Sequence, residues 1–215
     1  KAAKKAASIL RGASPHQKNA ALSAIAQALT DRSAEILAAN QKDLENGRIN
    51  GMRESFLDRL LLDQSRIQGI ARDVQKVALL EDPTGQIIEG KTLPNGLKLQ
   101  CVRVPLGVVA IIYEARPNVT ADGASLCLKS GNAVILRGGK EAIRSNRAVA
   151  AAIRAGLVAG GLPIDAVQLV EDTSRDSATA MMKLNGLIDV LIPRGGAGLI
   201  RSVVENATVP VIETG

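Results

Sequence analysis

Apolar residues recur at helical spacing through the first eighty positions. Ala6, Ala7, Ile9 and Leu10 begin the pattern, and Gly12 and Pro15 interrupt it. From Lys18 onward, Ala21, Leu22, Ile25, Ala26 and Leu29 fall on one helix face. Asp31 or Ser33 can cap the next helix, with Ile36, Leu37 and Leu44 as its apolar positions and Gly47 as its stop. Phe56, Leu57, Leu60 and Leu61 form a short apolar segment, and Ile67, Ile70, Ala71, Val74 and Val77 predict another helix.

The pattern changes at Glu81. Pro83, Gly85, Gly90, Pro94 and Gly96 punctuate two short segments, 86–91 and 97–104, and Pro-Asn-Gly at 94–96 is a hairpin turn signal. In the second segment Leu97, Leu99, Cys101 and Arg103 alternate with Lys98, Gln100, Val102 and Val104, which predicts a partly exposed strand. The run 107–113 is continuously apolar and β-branched, the mark of a strand buried on both faces. Helix 120–129, strand 133–136, helix 140–159, strand 167–170, helix 175–184, strand 188–192, helix 198–206 and strand 209–212 follow. This alternation predicts an α/β fold: a Rossmann-type open parallel sheet with helices on both faces, preceded by a helical segment over 1–84 and a β-hairpin over 85–104. Ligands of such sheets bind beyond the carboxyl ends of the strands. The loops of interest are therefore 113–119, 137–141, 171–174, 193–197 and 213–215.

Composition narrows the functions. The 215 residues are 46% hydrophobic and 22% charged, ordinary globular usage. Phe56 and Tyr113 are the only aromatic residues, so the core is built from Ala, Leu, Ile and Val. A reader of single-stranded nucleic acid would need stacking platforms that this chain lacks. The net charge of +6 is dispersed, which suits a solvated mixed surface or a local pocket for an anionic ligand. His16 is the only histidine, which excludes a three-histidine zinc site. Cys101 and Cys127 have no metal-ligand spacing; neither a disulfide framework nor a metal site is expected, and a reducing, cytoplasmic compartment follows. No apolar run approaches the roughly 18 residues of a membrane span. The chain begins at Lys1 rather than Met, so a trimmed or partly covered protein is expected.

Three loop ends carry candidate chemistry. In 113–119, Glu114, Arg116 and Asn118 are polar groups at a strand end; Asn118 could donate to a developing oxyanion or simply cap the next helix. Loop 137–141 places Gly138 and Gly139 between Arg137 and Lys140. A phosphate suits that loop, and a solvated helix-start lysine is the plainer reading. In 193–197, Arg194, Gly195 and Gly196 again precede a helix. Neither loop is a G-x-G-x-x-G fingerprint or a P-loop. Glu213 ends the last strand, either as a general base or as an exposed residue near a chain end. Cys127 lies in an apolar helix that makes a thiol inert, and Cys101 is read as a strand side chain.

Several stretches resemble the aldehyde dehydrogenase superfamily, and within it the γ-glutamyl phosphate reductase (glutamate-5-semialdehyde dehydrogenase) family of proline biosynthesis. They are Pro105-Leu-Gly-Val-Val109, Tyr113-Glu-Ala-Arg-Pro-Asn118, Lys129-Ser-Gly-Asn132, Leu136-Arg-Gly-Gly-Lys-Glu-Ala142 with Ser145-Asn146, Ile192-Pro-Arg-Gly-Gly196, Pro210-Val-Ile-Glu-Thr-Gly215 and, in the helical lead-in, Ala39-Asn-Gln-Lys-Asp-Leu44. The resemblance implies that a cysteine thiolate attacks the acyl phosphate of γ-glutamyl phosphate, phosphate leaves, and the thioester takes a hydride from NADPH to release glutamate semialdehyde. Carried over by position, Asn118 is the side-chain donor to the oxyanion. Arg137 lies near the adenosine ribose, and Lys140 would welcome a 2′-phosphate, so NADPH is the expected cofactor. The Arg194-Gly195-Gly196 turn meets the pyrophosphate, and Glu213 opens the segment that leads to the nucleophile. In the family that cysteine follows Glu-Thr-Gly by a few residues, and neither Cys101 nor Cys127 matches it. The resemblance thus implies the cofactor-binding half of a reductase, with an NADP-binding domain over 105–215, an oligomerisation-type hairpin, and no turnover by the 215 residues alone. Homo-oligomerisation at full length and a glutamate 5-kinase partner are further implications. A non-catalytic nucleotide-binding module, or another aldehyde or acyl-phosphate dehydrogenase, is the alternative.

Overall fold

The computed structural model describes residues 1–213. Five helices lead: α1 (Ala2–Arg11), α2 (Pro15–Asp31), α3 (Ser33–Ile49), α4 (Glu54–Leu60) and α5 (Gln64–Leu79). Pro15 starts α2 rather than merely ending α1. Ser14 and Gln17 form a reciprocal capping box around it. Two expectations about α3 are corrected. Only Arg32 separates α2 from α3, so Asp31 and Ser33 are themselves helical and neither caps. Gly47 does not stop the helix, which runs on to Ile49; it lies inside because Leu57 and Met52 pack against the space a side chain would take.

The strands β1 (Ile87–Thr92) and β2 (Lys98–Val102) pair antiparallel around a turn in which Gly96 adopts φ +85°. Every residue of both strands is exposed, so β2 presents both faces to solvent instead of the one expected.

Then β3 (Val108–Tyr113), α6 (Asn118–Lys129), β4 (Ala133–Arg137), α7 (Ile143–Ala159), β5 (Val167–Leu169), α8 (Arg175–Met182), β6 (Val190–Arg194) and α9 (Ala197–Asn206) alternate. The sheet is parallel, ordered β5-β4-β3-β6, and every residue of β3 is buried. Helices α6 and α7 pack against each other and against β4 and β5, and the right-handed rule for parallel crossovers places α8 on the opposite face. Several boundaries differ from expectation: β6 runs over Val190–Arg194 rather than 188–192, and α6 begins at Asn118 rather than Thr120. A 3₁₀ turn over Lys140–Ala142 precedes α7. Helix α8 ends at Met182, two residues early, because the chain turns at Gly186 (φ +77°) to bridge Asn185 with Ile188. The strand expected over 209–212 is a single bridge, Val211 to Leu191, since Pro210 has no N–H to extend a ladder.

One hydrophobic core runs from Ala3 through the sheet to Val209. Helices α2 and α7 meet almost backbone to backbone: a Cβ on Gly156 would strike the backbone of Ile25, and one on Gly160 that of Ala21. Helix α1 lies against β3 and β4, and Lys4 Nζ reaches both carboxylate oxygens of Asp189 at 2.7 Å. Helix α3 serves α7 directly. The α7 N-cap is Ala142, which has no side-chain acceptor, and the buried Asp43 takes the Ser145 N–H (2.8 Å) and hydroxyl (2.7 Å) in its place.

Candidate functional site

Strand β3 is central: the chain moves from it to β4 and β5, then returns to its other side as β6. The switch point of the sheet is therefore between β3 and β6, where a crevice opens beyond their carboxyl ends. The loops after β3, β4, β5 and β6 all reach it.

The crevice floor is polar and buried. Tyr113 ends β3, and its hydroxyl lies 2.7 Å from Thr120 Oγ1, which donates to Asn146 Oδ1 at 3.1 Å. Burial raises the Tyr113 phenol well above its ordinary value, against a smaller lowering by the Thr120 hydrogen bond, so it stays neutral. Gly138 passes directly over this trio; a Cβ there would collide with the Asn146 amide and the Tyr113 ring.

Arg137 is half-buried, and one guanidinium nitrogen donates to the Thr173 carbonyl at 2.7 Å and the Ser174 carbonyl at 2.9 Å. It thus fastens the β5 loop to the β4 loop. That loop is further closed by Asp172, which accepts the Ser174 N–H at 2.8 Å. Arg137, Gly139 and the exposed Lys140 line one side of a cavity of about 1110 Å³. Glu141, Asp172, Arg175, Arg53 and Phe56 line it too.

A second cavity of about 450 Å³ continues along the crevice, lined by Arg116, Arg194, Gly195 and Gly196 and sharing Tyr113, Glu114 and Phe56 with the first. Gly196 is the N-cap of α9 and offers no side chain. Its N–H is taken by Glu114 Oε2 at 3.1 Å, so a carboxylate occupies the positive end of that helix. Gly195 has no room for a Cβ, because Glu114 and Leu199 sit within 2.8 Å of where it would be.

Asn118 is the first residue of α6, but Pro117 is the N-cap and Asn118 does not cap. Its amide donates instead to Asp122 Oδ2 at 2.9 Å, one turn along the same helix face. Both line a third cavity, of about 440 Å³, with Arg116, Arg59 and Asp73. Burial raises the Asp122 carboxyl; the Asn118 hydrogen bond lowers it, the Asp73 charge raises it further, Arg194 lowers it, and the net shift is upward.

The structure thus gathers Asn118, Arg137, Gly138, Gly139, Lys140, Arg194, Gly195 and Gly196 along one crevice. It does not bring Glu213 there: that residue is exposed past the Val211 bridge and lines none of the three cavities, and Thr214 and Gly215 lie outside the described residues. Cys127 is buried and its thiol is pushed up to about 12 by burial, while Cys101 is exposed on β2. Sequence reasoning missed the roles of Glu114, Glu141 and Asp122. Only the i, i+4 spacing of Asn118 and Asp122 signalled any of them locally. No helix among the described residues is long and apolar enough to cross a membrane.

Known proteins resemble this chain in sequence and fold. A curated γ-glutamyl phosphate reductase of Clostridium novyi is 58% identical over 213 residues, 99% of this chain and 51% of its own length. The crystal structure of the γ-glutamyl phosphate reductase of Thermotoga maritima superposes with a TM-score of 0.97 at 43% identity, over 100% of this chain and 52% of that one. That of Saccharomyces cerevisiae gives 0.91 at 33%, over 98% and 54%. The chain spans about half the length of the curated relatives it matches. The Aldehyde dehydrogenase family profile matches residues 1–213, and the chain belongs to that family.

Proposed function

We propose that this chain is the cofactor-binding half of an NADPH-dependent γ-glutamyl phosphate reductase. The reaction is reduction of L-glutamate 5-phosphate to L-glutamate 5-semialdehyde with release of phosphate, the second step of proline biosynthesis. The observation that carries the reading is the seat of Glu114. An N–H at the start of α9, at the switch point of the sheet, already holds a carboxylate, and a group that binds one oxyanion binds a phosphate oxygen for the same reason. The named reductases with which the chain shares more than half its residues support the choice of reaction.

Each residue then has a task. Gly195 and Gly196 present backbone N–H groups to a pyrophosphate. Lys140, exposed on the wall of the larger cavity, meets a 2′-phosphate, where an ammonium contributes a charge-assisted hydrogen bond. Arg137 holds the β5 loop as the opposite wall, and Gly138 and Gly139 let the chain pass close over Tyr113. Asn118 keeps one amide N–H for a developing oxyanion while the other is held by Asp122. Glu213, outside these three cavities, is assigned to proton transfer or water positioning in the site that the catalytic half completes. When bound, the nicotinamide supplies the hydride. The hairpin, with Ile87, Ile88 and Leu97 exposed, is assigned to self-association, and a glutamate 5-kinase would supply the acyl phosphate.

Titration of the full-length protein with NADPH and, in parallel, NADH, followed by nicotinamide fluorescence, tests the reading. Saturable binding that favours NADPH is expected. Equal affinities would remove the 2′-phosphate role of Lys140, and no binding of either would overturn the nucleotide reading of both Arg-Gly-Gly loops.

A further inference from the structure

The cavity at the first turn of α6 holds an acid that enters no ion pair among the described residues, although the Arg194 charge acts on it. Asp122 is half-buried and has one hydrogen bond, from Asn118. A carboxylate accepts several hydrogen bonds, so most of its capacity faces the cavity unused. The other charged groups there are largely committed. Arg66 is paired with Asp58 at 2.6 Å, Asp73 with Lys76 at 2.8 Å, and Arg59 lies over the Phe56 ring. Arg116, also lining the cavity, is in none of those ion pairs. Asp122 thus shares the space beside Asn118 with Arg116 and Arg59, neither of which enters an ion pair among the described residues.

We propose that Asp122 is a specificity-determining residue that binds the α-ammonium group of an amino-acid substrate, with Arg116 facing its α-carboxylate. This rests on the reductase reading and adds to it the group by which the substrate is told from a plain aldehyde. The dimensions fit. In a γ-glutamyl group the reacting carbonyl oxygen and the α-nitrogen are joined through four carbons, a reach of up to about 6 Å. The Asn118 amide nitrogen and Asp122 Oδ2 are 2.9 Å apart, and each adds a hydrogen bond of about 2.9 Å on its far side, so one substrate spans both. At Asp122 burial and the second carboxylate of Asp73 outweigh the Asn118 hydrogen bond and the Arg194 charge, so a cation is favoured there over a neutral group.

The test uses the full-length enzyme in the oxidative direction, with phosphate and NADP⁺. Two aldehydes are compared: L-glutamate 5-semialdehyde and 5-oxopentanoate, which lacks only the amino group. Asp122→Asn keeps an acceptor for Asn118 and removes the charge. The preference in kcat/KM for the amino-bearing aldehyde is expected to fall at least tenfold, through KM. Equal losses for both aldehydes would mean that Asp122 only orients Asn118, and no change would place it outside the site; either result overturns the proposal. Should the variant not fold, the wild type decides: N-acetyl-L-glutamate 5-semialdehyde, whose nitrogen carries no charge, is expected to be at least tenfold poorer, and parity overturns the proposal. A wild type that binds NADPH yet oxidises neither aldehyde would instead overturn the reductase reading itself, and this inference with it.

Discussion

At the residue scale the crevice mixes charges of both signs, and the two that matter most lie on adjacent loops. Lys140 offers an ammonium to a 2′-phosphate, while Glu114 holds the N–H that a pyrophosphate would need. Lys140→Glu should weaken NADPH by ~1–3 kcal/mol, the scale of one charge-assisted hydrogen bond, and NADH much less. Equal losses in parallel titrations would refute the assignment. Glu114→Gln removes a competing anion from the start of α9 and should tighten either nucleotide by ~0.3–1 kcal/mol. Unchanged or weaker binding would show that Glu114 does not compete. Asn118→Ala should lower turnover of the full-length enzyme roughly a hundredfold if its amide meets the oxyanion, and unchanged kcat would end that role. Lys140 and Asn118 could be picked out from the chain alone because each stands in a short local pattern at a strand end. The seat of Glu114 could not, since it exists only because β3 and β6, some eighty residues apart, lie side by side.

At the element scale, what could be read was whatever depended on neighbours in sequence. The continuous apolar run of β3 and the Pro-Asn-Gly turn of the hairpin needed no tertiary context. The misread features all depended on it. Gly47 looks like a helix stop until Leu57 is packed against it, and strand 209–212 looks complete until β6 is found to share only one bridge with it. Gly156 makes the same point with a measurable sign. In an exposed helix interior, Gly to Ala stabilises by about 1 kcal/mol. In α7 the added methyl would enter the backbone of Ile25 on α2. Gly156→Ala is therefore expected to destabilise by ~1–3 kcal/mol, the usual cost of overpacking, seen as a lower urea midpoint at unchanged slope. A stabilised variant would mean that the two helices can move apart at little cost.

At the scale of the whole molecule, the helical lead-in is closed onto the segment that leads out of it by charge as well as by apolar contact. Lys18 of α2 and Asp82, in the segment between α5 and the hairpin, form an ion pair at 2.5 Å with side chains 1% and 8% exposed. Asp82 also accepts the Thr84 N–H at 2.9 Å. Nearby, Lys129 at the end of α6 donates to Asn19 of α2 at 2.6 Å and to the Ala78 carbonyl of α5 at 2.9 Å. Burial by itself would raise the Asp82 carboxyl, but the Lys18 hydrogen bond, the Thr84 N–H and the Lys18 charge together outweigh it and hold the group below its ordinary value. A carboxyl lowered in the folded state adds stability at pH above its unfolded value, and that stability is lost as pH falls through the folded one. Asp82→Asn leaves the Lys18 ammonium buried and unpaired, so it should cost ~3–5 kcal/mol at pH 7. The gap between wild type and variant should stay constant down to about pH 4, the unfolded value, and narrow as pH falls further toward the lowered folded value of Asp82. Urea unfolding of both proteins from pH 7 down to pH 3 reads this directly. A gap that stays constant over that range would show that the cost lies in the shape of the side chain rather than its charge, and that α2 is held to the 80–84 segment by packing alone.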